Sequence, residues 1–245
     1  MATYRNDPDL EFLRNCTDVE LHPLVVYLTK SKDGSPRRNE TLTKSQEYQR
    51  YAPCHSMYWQ LIAAELQTFG ANSVTTLFRG GEGVLYREIL CEVCDKMSAN
   101  YHSKAPIEAI ESDLLMKVLT DSVASMDEAD RRNLVDSLGM TTDSYSGPAV
   151  VAALQFGLRA GGFATYQVAV VVANAVAKTV LGQGLSFVTN ASLTRGLSLA
   201  IGPIGWALNA LWVGGSLAGP AYRVTVPSVV HVALLRATRN MDSLS

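Results

Sequence analysis

Through residue 139 the chain reads as short amphipathic segments separated by Gly, Pro and polar breaks. Apolar residues at three- and four-residue spacing predict helices over 9–15 and 18–29, with Leu10, Leu13, Leu21, Leu24 and Val25 on related faces. Thr17 followed by Glu20 has the spacing of a capping box for the second helix. The stretch 31–40 holds Asp33-Gly34 and Pro36 and predicts a turn-rich loop, and 43–51 predicts a short polar helix stopped before Pro53. Tyr58, Leu61, Ile62, Leu66 and Phe69 mark an amphipathic helix over 55–69, with Gly70 as its expected stop. Helices are expected over 73–79 and 84–97, from Pro106 to Met126, and over 127–138 with Gly139 closing the last.

After the polar loop 140–148 the pattern changes, and from Ala149 onward the chain reads as nearly continuous apolar helix. Gly161, Thr165, Ala169, Ala173 and Ala177 recur every four residues, a glycine-zipper-like row that lets another backbone approach closely. Ser192, Gly196 and Ala200 form a second, partial row. Gly202, Ala210, Gly214 and Ala218 form a third, interrupted by Trp206. Pro203 is expected to end or kink its segment. Pro220 and Pro227 bracket an RVTV stretch that reads as strand or loop, and Val229 to Arg239 reads as a last helix with a basic end. The fold class is all-α: a helical module over 1–35, a polar helical domain over 44–139 and a Gly/Ala-rich apolar helical domain over 147–240.

Charge sharpens the contrast. Residues 1–143 hold 22 acidic and 15 basic residues, whereas 144–245 hold 1 and 6. No Asp or Glu occurs between Ser144 and Met241. Soluble surfaces normally mix both signs, so the second half is expected to be covered by protein, membrane or client. The two halves can attract one another, or Lys178, Arg195 and Arg223 can face anionic lipid. With a pI near 6.1 and no basic cluster, nucleic-acid binding is not expected.

The segment 163–181 has one charge, Lys178, and is close to the length that spans a bilayer. The segment 196–222 is long enough but holds Pro203 and many glycines, and Trp206 and Trp212 lie within it rather than at its rims. A mean hydropathy of +0.08 is modest for a membrane-embedded chain. A buried core or a conditionally inserting hairpin fits better than constitutive spanning. The charged N-terminus predicts no secretory signal, and four Cys fit a reducing compartment. The expected location is cytoplasmic, peripheral at the inner membrane.

Candidate chemistry is sparse. Cys91-x-x-Cys94 is the only metal-like spacing, completed at most by His102 or by Cys54-His55, and reads better as two thiols on a helix. Arg79-Gly80-Gly81-Glu82-Gly83 lacks the Lys-Ser/Thr of a phosphate loop and reads as a turn. Gly196-Leu197-Ser198-Leu199-Ala200 lacks the second glycine of a nucleophile elbow. His22, His55, His102 and His231 are scattered, and Glu108 and Glu111 read as a solvated helix face. No catalytic residue and no cofactor is predicted.

Two long stretches, HSMYWQLIAAELQTFGANSVTTLFRGGEGVLYREILCEVCDKM (55–97) and GGFATYQVAVVVANAVAKTVLGQGLSFVTNASLTRGLSLAIGPIGWALNALW (161–212), with AGPAYRVTVPSVVHVALLR (218–236), resemble the YaaW-like bacterial family. The opening YRNDPDLEFLRNCTDVELHPLVVYLTKSKDG (4–34) resembles the short N-terminal module often attached to that family. The family is grouped with the ubiquinol–cytochrome c chaperones, so the resemblance implies an all-α fold and assistance of a membrane-protein client. The expected function is non-enzymatic: chaperone-like or membrane-docking, with a second copy as a further partner through the small-residue rows. The contact surface is expected to be the 161–177 row with Trp206 and Trp212 as anchors. The alternative is a membrane-active toxin or effector inserting 161–218.

Overall fold

The computed structural model describes residues 2–74, 83–185, 204–205 and 221–242, with only the backbone of 71–74. Among them the structure is all-α, with no strand and one isolated antiparallel bridge, Lys30 to Pro36, at the predicted loop. The N-terminal module forms a 3-10 turn at Glu11–Asn15 and helix α1 (Asp18–Thr29). Thr17 and Glu20 close the capping box: the Thr17 side chain accepts from the Glu20 amide, and the Thr17 amide donates to Glu20 Oε2 at 2.7 Å. A 3-10 turn at Leu42–Lys44 leads into α2 (Gln46–Tyr51), and another at His55–Tyr58 leads into α3 (Trp59–Val74).

Helix α3 runs through Gly70 instead of stopping there. A Cβ at Gly70 would sit 2.4 Å from Ile89 Cγ1, so this glycine lets α4 (Tyr86–Met97) cross close by. Of the predicted 73–79 segment, Ser73 and Val74 end α3; the remainder and the Arg79–Glu82 part of the glycine-rich turn lie outside the described residues. Helix α5 (Ile107–Ser125) starts behind Pro106, and α6 (Glu128–Ser137) is capped by Asp127 and ended by Gly139 at φ 60°.

The apolar half is not one continuous helix from Ala149. Helix α7 (Gly147–Ala160) and α8 (Phe163–Leu181) are split by Gly161 and Gly162, whose φ values of 70° and 57° suit glycine and break the helical path. Helix α9 (Tyr222–Asp242) corrects the strand-or-loop reading of RVTV: it runs straight through Pro227. The ring removes the bond to the carbonyl of Arg223, an exposed residue. Burial of Val224, Val226, Val229 and Val230 outweighs the lost bond.

Helix α9 is the central element. It packs most extensively on α8 and also touches α1, α3, α4 and α5. The buried apolar residues of both halves form one continuous cluster. Helix α8 is buried continuously from Gln167 to Ala177. The opposite charges of the two halves meet inside this core, in ion pairs from Arg236 to Glu111 and from Arg239 to Glu20.

Candidate functional site

Three polar clusters invite a functional reading. The first lies along α9. His231 is buried among valines and its Nε2 donates to the Glu20 carbonyl at 2.8 Å. Arg236 Nε donates to both Glu111 oxygens at 3.0 and 3.2 Å, while Tyr86 Oη donates to Glu111 Oε1 at 2.7 Å. The Arg236 guanidinium also donates to the Asp9 carbonyl and lies 4.4 Å from the centre of the Phe12 ring. Glu111 is therefore a buried ion-pair member, which corrects its reading as a solvated helix face. Burial raises its carboxyl to about 7 despite the neighbouring Arg236, and it pushes the Tyr86 hydroxyl far up. Through the Glu20 and Asp9 carbonyls this cluster clasps the N-terminal module to α9. The signal in the sequence was an arginine inside a valine-rich helix with no acid near it, which requires a distant carboxylate.

The second cluster joins histidines that are far apart in sequence. His22 Nδ1 faces His55 Nε2 at 3.0 Å, and His55 Nδ1 is 2.6 Å from Tyr58 Oη. Ring centroids 5.2 Å apart put the two nitrogens head-on along the line between the rings, so their lone pairs do not converge on a common ion. Partial burial lowers both imidazoles from their ordinary value. Cys91 and Cys94 lie on α4, half-buried and buried. Burial raises both thiols, Cys94 to about 12, the opposite of what a nucleophile or thiolate ligand needs. Among the described residues no three His, Cys, Asp or Glu side chains are grouped to hold a metal ion.

The third feature is a cleft of about 700 Å³ between the middle of α5, the end of α7, the first turn of α8 and the last turn of α9. Glu108, Asp113 and Lys117 stand on its α5 wall, Gln155 and Arg159 on its α7 wall, with Gly161 and Gly162 between α7 and α8. Lys117 pairs with Asp121 at 2.7 Å, one turn further on, leaving Asp113 without an ion pair or hydrogen bond among the described residues. Partial burial raises the Asp113 carboxyl. Beside the cleft, at the α7–α8 elbow, Phe156 is 78% exposed and Phe163 53%. Exposed Arg159 lies between them in sequence.

The predicted contact row is placed differently from the sequence reading. Gly161 caps α7 and is not on the helix, so the row begins at half-buried Thr165. Ala169, Ala173 and Ala177 are buried in the chain's own core. Lys178 and Arg223 are exposed at the end of α8 and the start of α9, away from the elbow. Gly196, Ala200, Gly202, Trp206, Ala210, Trp212, Gly214, Ala218 and Arg195 lie outside the described residues, as do Ser192, Ser198, Pro203 and Pro220.

Residues 4–38 match the model of a domain of unknown function, DUF3944. A UPF0174 protein of Helicobacter pylori strain J99 is 46% identical over 234 residues, covering 95% of this chain and 92% of the relative. The chain belongs to the UPF0174 family. A second UPF0174 protein of that strain is 43% identical over 203 residues, covering 81% of this chain and 97% of its own. The UPF0174 protein YaaW of Escherichia coli K12 is 30% identical over 240 residues, 96% of each chain, so the family is the YaaW-like one. No solved structure matches.

Proposed function

We propose that the protein is a non-enzymatic interaction protein that docks peripherally on a membrane surface through the α7–α8 elbow, where a membrane-associated client is met. The observation that carries this reading is the pair of exposed aromatics, Phe156 and Phe163, flanking Arg159 in a stretch free of acidic residues. Exposed aromatic rings with a basic residue between them suit the boundary between headgroups and acyl chains. Burying each ring contributes up to about 1.5–3 kcal/mol, and a basic residue near anionic lipid about 1 kcal/mol. The chaperone grouping implied by the family resemblance supplies the client half of the reading.

Vesicle flotation tests it. The full chain is expected to float with phosphatidylglycerol-containing vesicles and to be released by salt, and Phe156→Ser/Phe163→Ser is expected to stay at the bottom while melting normally. Flotation by the double variant equal to wild type overturns the elbow as the docking site.

The inserting alternative has one observation in its favour. Phe163–Leu181 is the one helix among the described residues long and apolar enough to cross a bilayer. Its apolar window is 61% buried within the chain, so insertion would first strip α8 from α9. Dye leakage from the same vesicles would support insertion; binding without leakage supports docking.

A further inference from the structure

The elbow cleft carries charges that have no partner among the described residues. Glu108 and Asp113 on the α5 wall and Arg159 on the α7 wall all line it, and none of the three has an ion pair or hydrogen bond among the described residues. The natural helical partner of Asp113 is Lys117, four residues on, but its ammonium is bound to Asp121. An anion alone would satisfy Arg159 and face the Glu108 and Asp113 carboxylates; a cation alone would satisfy the carboxylates and leave Arg159 without a counter-charge. A small molecule bearing both charges satisfies the two walls together. The volume of about 700 Å³ lies within the range of small-molecule sites. Gly161 and Gly162 leave space between the walls: a Cβ at either would meet nothing within 4 Å.

We propose that this cleft takes a zwitterion carrying a primary ammonium and a phosphate, the phosphoethanolamine headgroup of an aminophospholipid, with the ammonium on Asp113 and the phosphate on Arg159. The lipid source rests on the docking reading above, because the cleft lies beside Phe156 and Phe163, whose rings that reading sets among acyl chains. Ser112 and Thr120, also on the α5 wall, offer hydroxyls to the same headgroup. The primary ammonium is distinguished from a quaternary one by its N–H groups, which a carboxylate can accept.

The test titrates the full chain with soluble O-phosphoethanolamine, followed by amide chemical shifts. Saturable binding is expected, weakened about tenfold or more by Asp113→Asn and by Arg159→Gln, since each removes one charge-assisted contact. Both variants are expected to melt like wild type, because neither side chain is fully buried. Phosphocholine, which offers no N–H, is expected to bind more weakly. Equal binding of inorganic phosphate and O-phosphoethanolamine, or no saturable binding, overturns the proposal.

Vesicles separate the sources. Replacing phosphatidylcholine with phosphatidylethanolamine is expected to raise flotation of wild type and not of Asp113→Asn. Soluble headgroup binding without that rise assigns the cleft to a free zwitterion and overturns the lipid source. If Phe156→Ser/Phe163→Ser still floats, the docking reading fails while the titration stands. If wild type floats but O-phosphoethanolamine does not bind, the cleft proposal fails and docking stands.

Discussion

Arg236 holds a full charge inside the core only because Glu111, the Asp9 carbonyl and the Phe12 ring surround it. Arg236→Met is expected to cost about 3–5 kcal/mol in urea denaturation, because it leaves Glu111 buried without its cation. Adding Glu111→Gln should recover a large part of that loss; no recovery would mean that Arg236 acts through packing alone. His231 gives a pH signature. Burial lowers its imidazole to about 4. Between pH 6.5 and 4 the unfolded chain therefore takes up a proton that the folded chain refuses. The contribution is present above the ordinary histidine value and is lost as pH falls, about 3 kcal/mol across the window. Glu111, raised to about 7, has the opposite slope, so the test compares wild type with His231→Gln at each pH. The variant is expected to lose less stability on acidification than wild type; parallel curves would show that His231 takes up its proton at the same pH in the folded and unfolded chain.

Among the helices, α8 and α9 form the pair on which the apolar half depends. Ala173 is buried in the contact row, so Ala173→Leu is expected to overpack the core and destabilise by about 1–3 kcal/mol, read as a lower Tm. An unchanged Tm would show that the row has slack. Local rules were legible wherever the deciding atoms are neighbours in sequence. The capping box at Thr17 and Glu20 and the Gly139 stop each need only a few residues. Rules that depend on packing were not. Gly70 has the chemistry of a stop, but its missing Cβ serves the crossing of Ile89. Pro227 looks like a breaker, but the carbonyl that loses its bond belongs to exposed Arg223. Gly161 opens the small-residue row in sequence but lies off the helix in space, because it and Gly162 adopt positive φ.

In the molecule as a whole, the clasp joins residues 125 and 219 positions apart, Glu111 to Arg236 and Glu20 to Arg239, and no spacing rule reaches that far. The charge imbalance between halves foretold that such pairing was available, not which residues make it. The cleft was equally hidden: Asp113 and Arg159 are unexceptional in sequence and become notable only when both line one space without partners among the described residues. What the acid-free half does with its surface is the central question. Most of α8 is core, and the elbow with Phe156 and Phe163 is its exposed tip. Fractionation of the native protein from cells without detergent, with salt and carbonate washes, addresses this directly. Peripheral docking predicts protein in the membrane fraction that high salt or carbonate releases, and that Phe156→Ser/Phe163→Ser moves to the soluble fraction. Protein that resists carbonate, or wild type found wholly soluble, would contradict it.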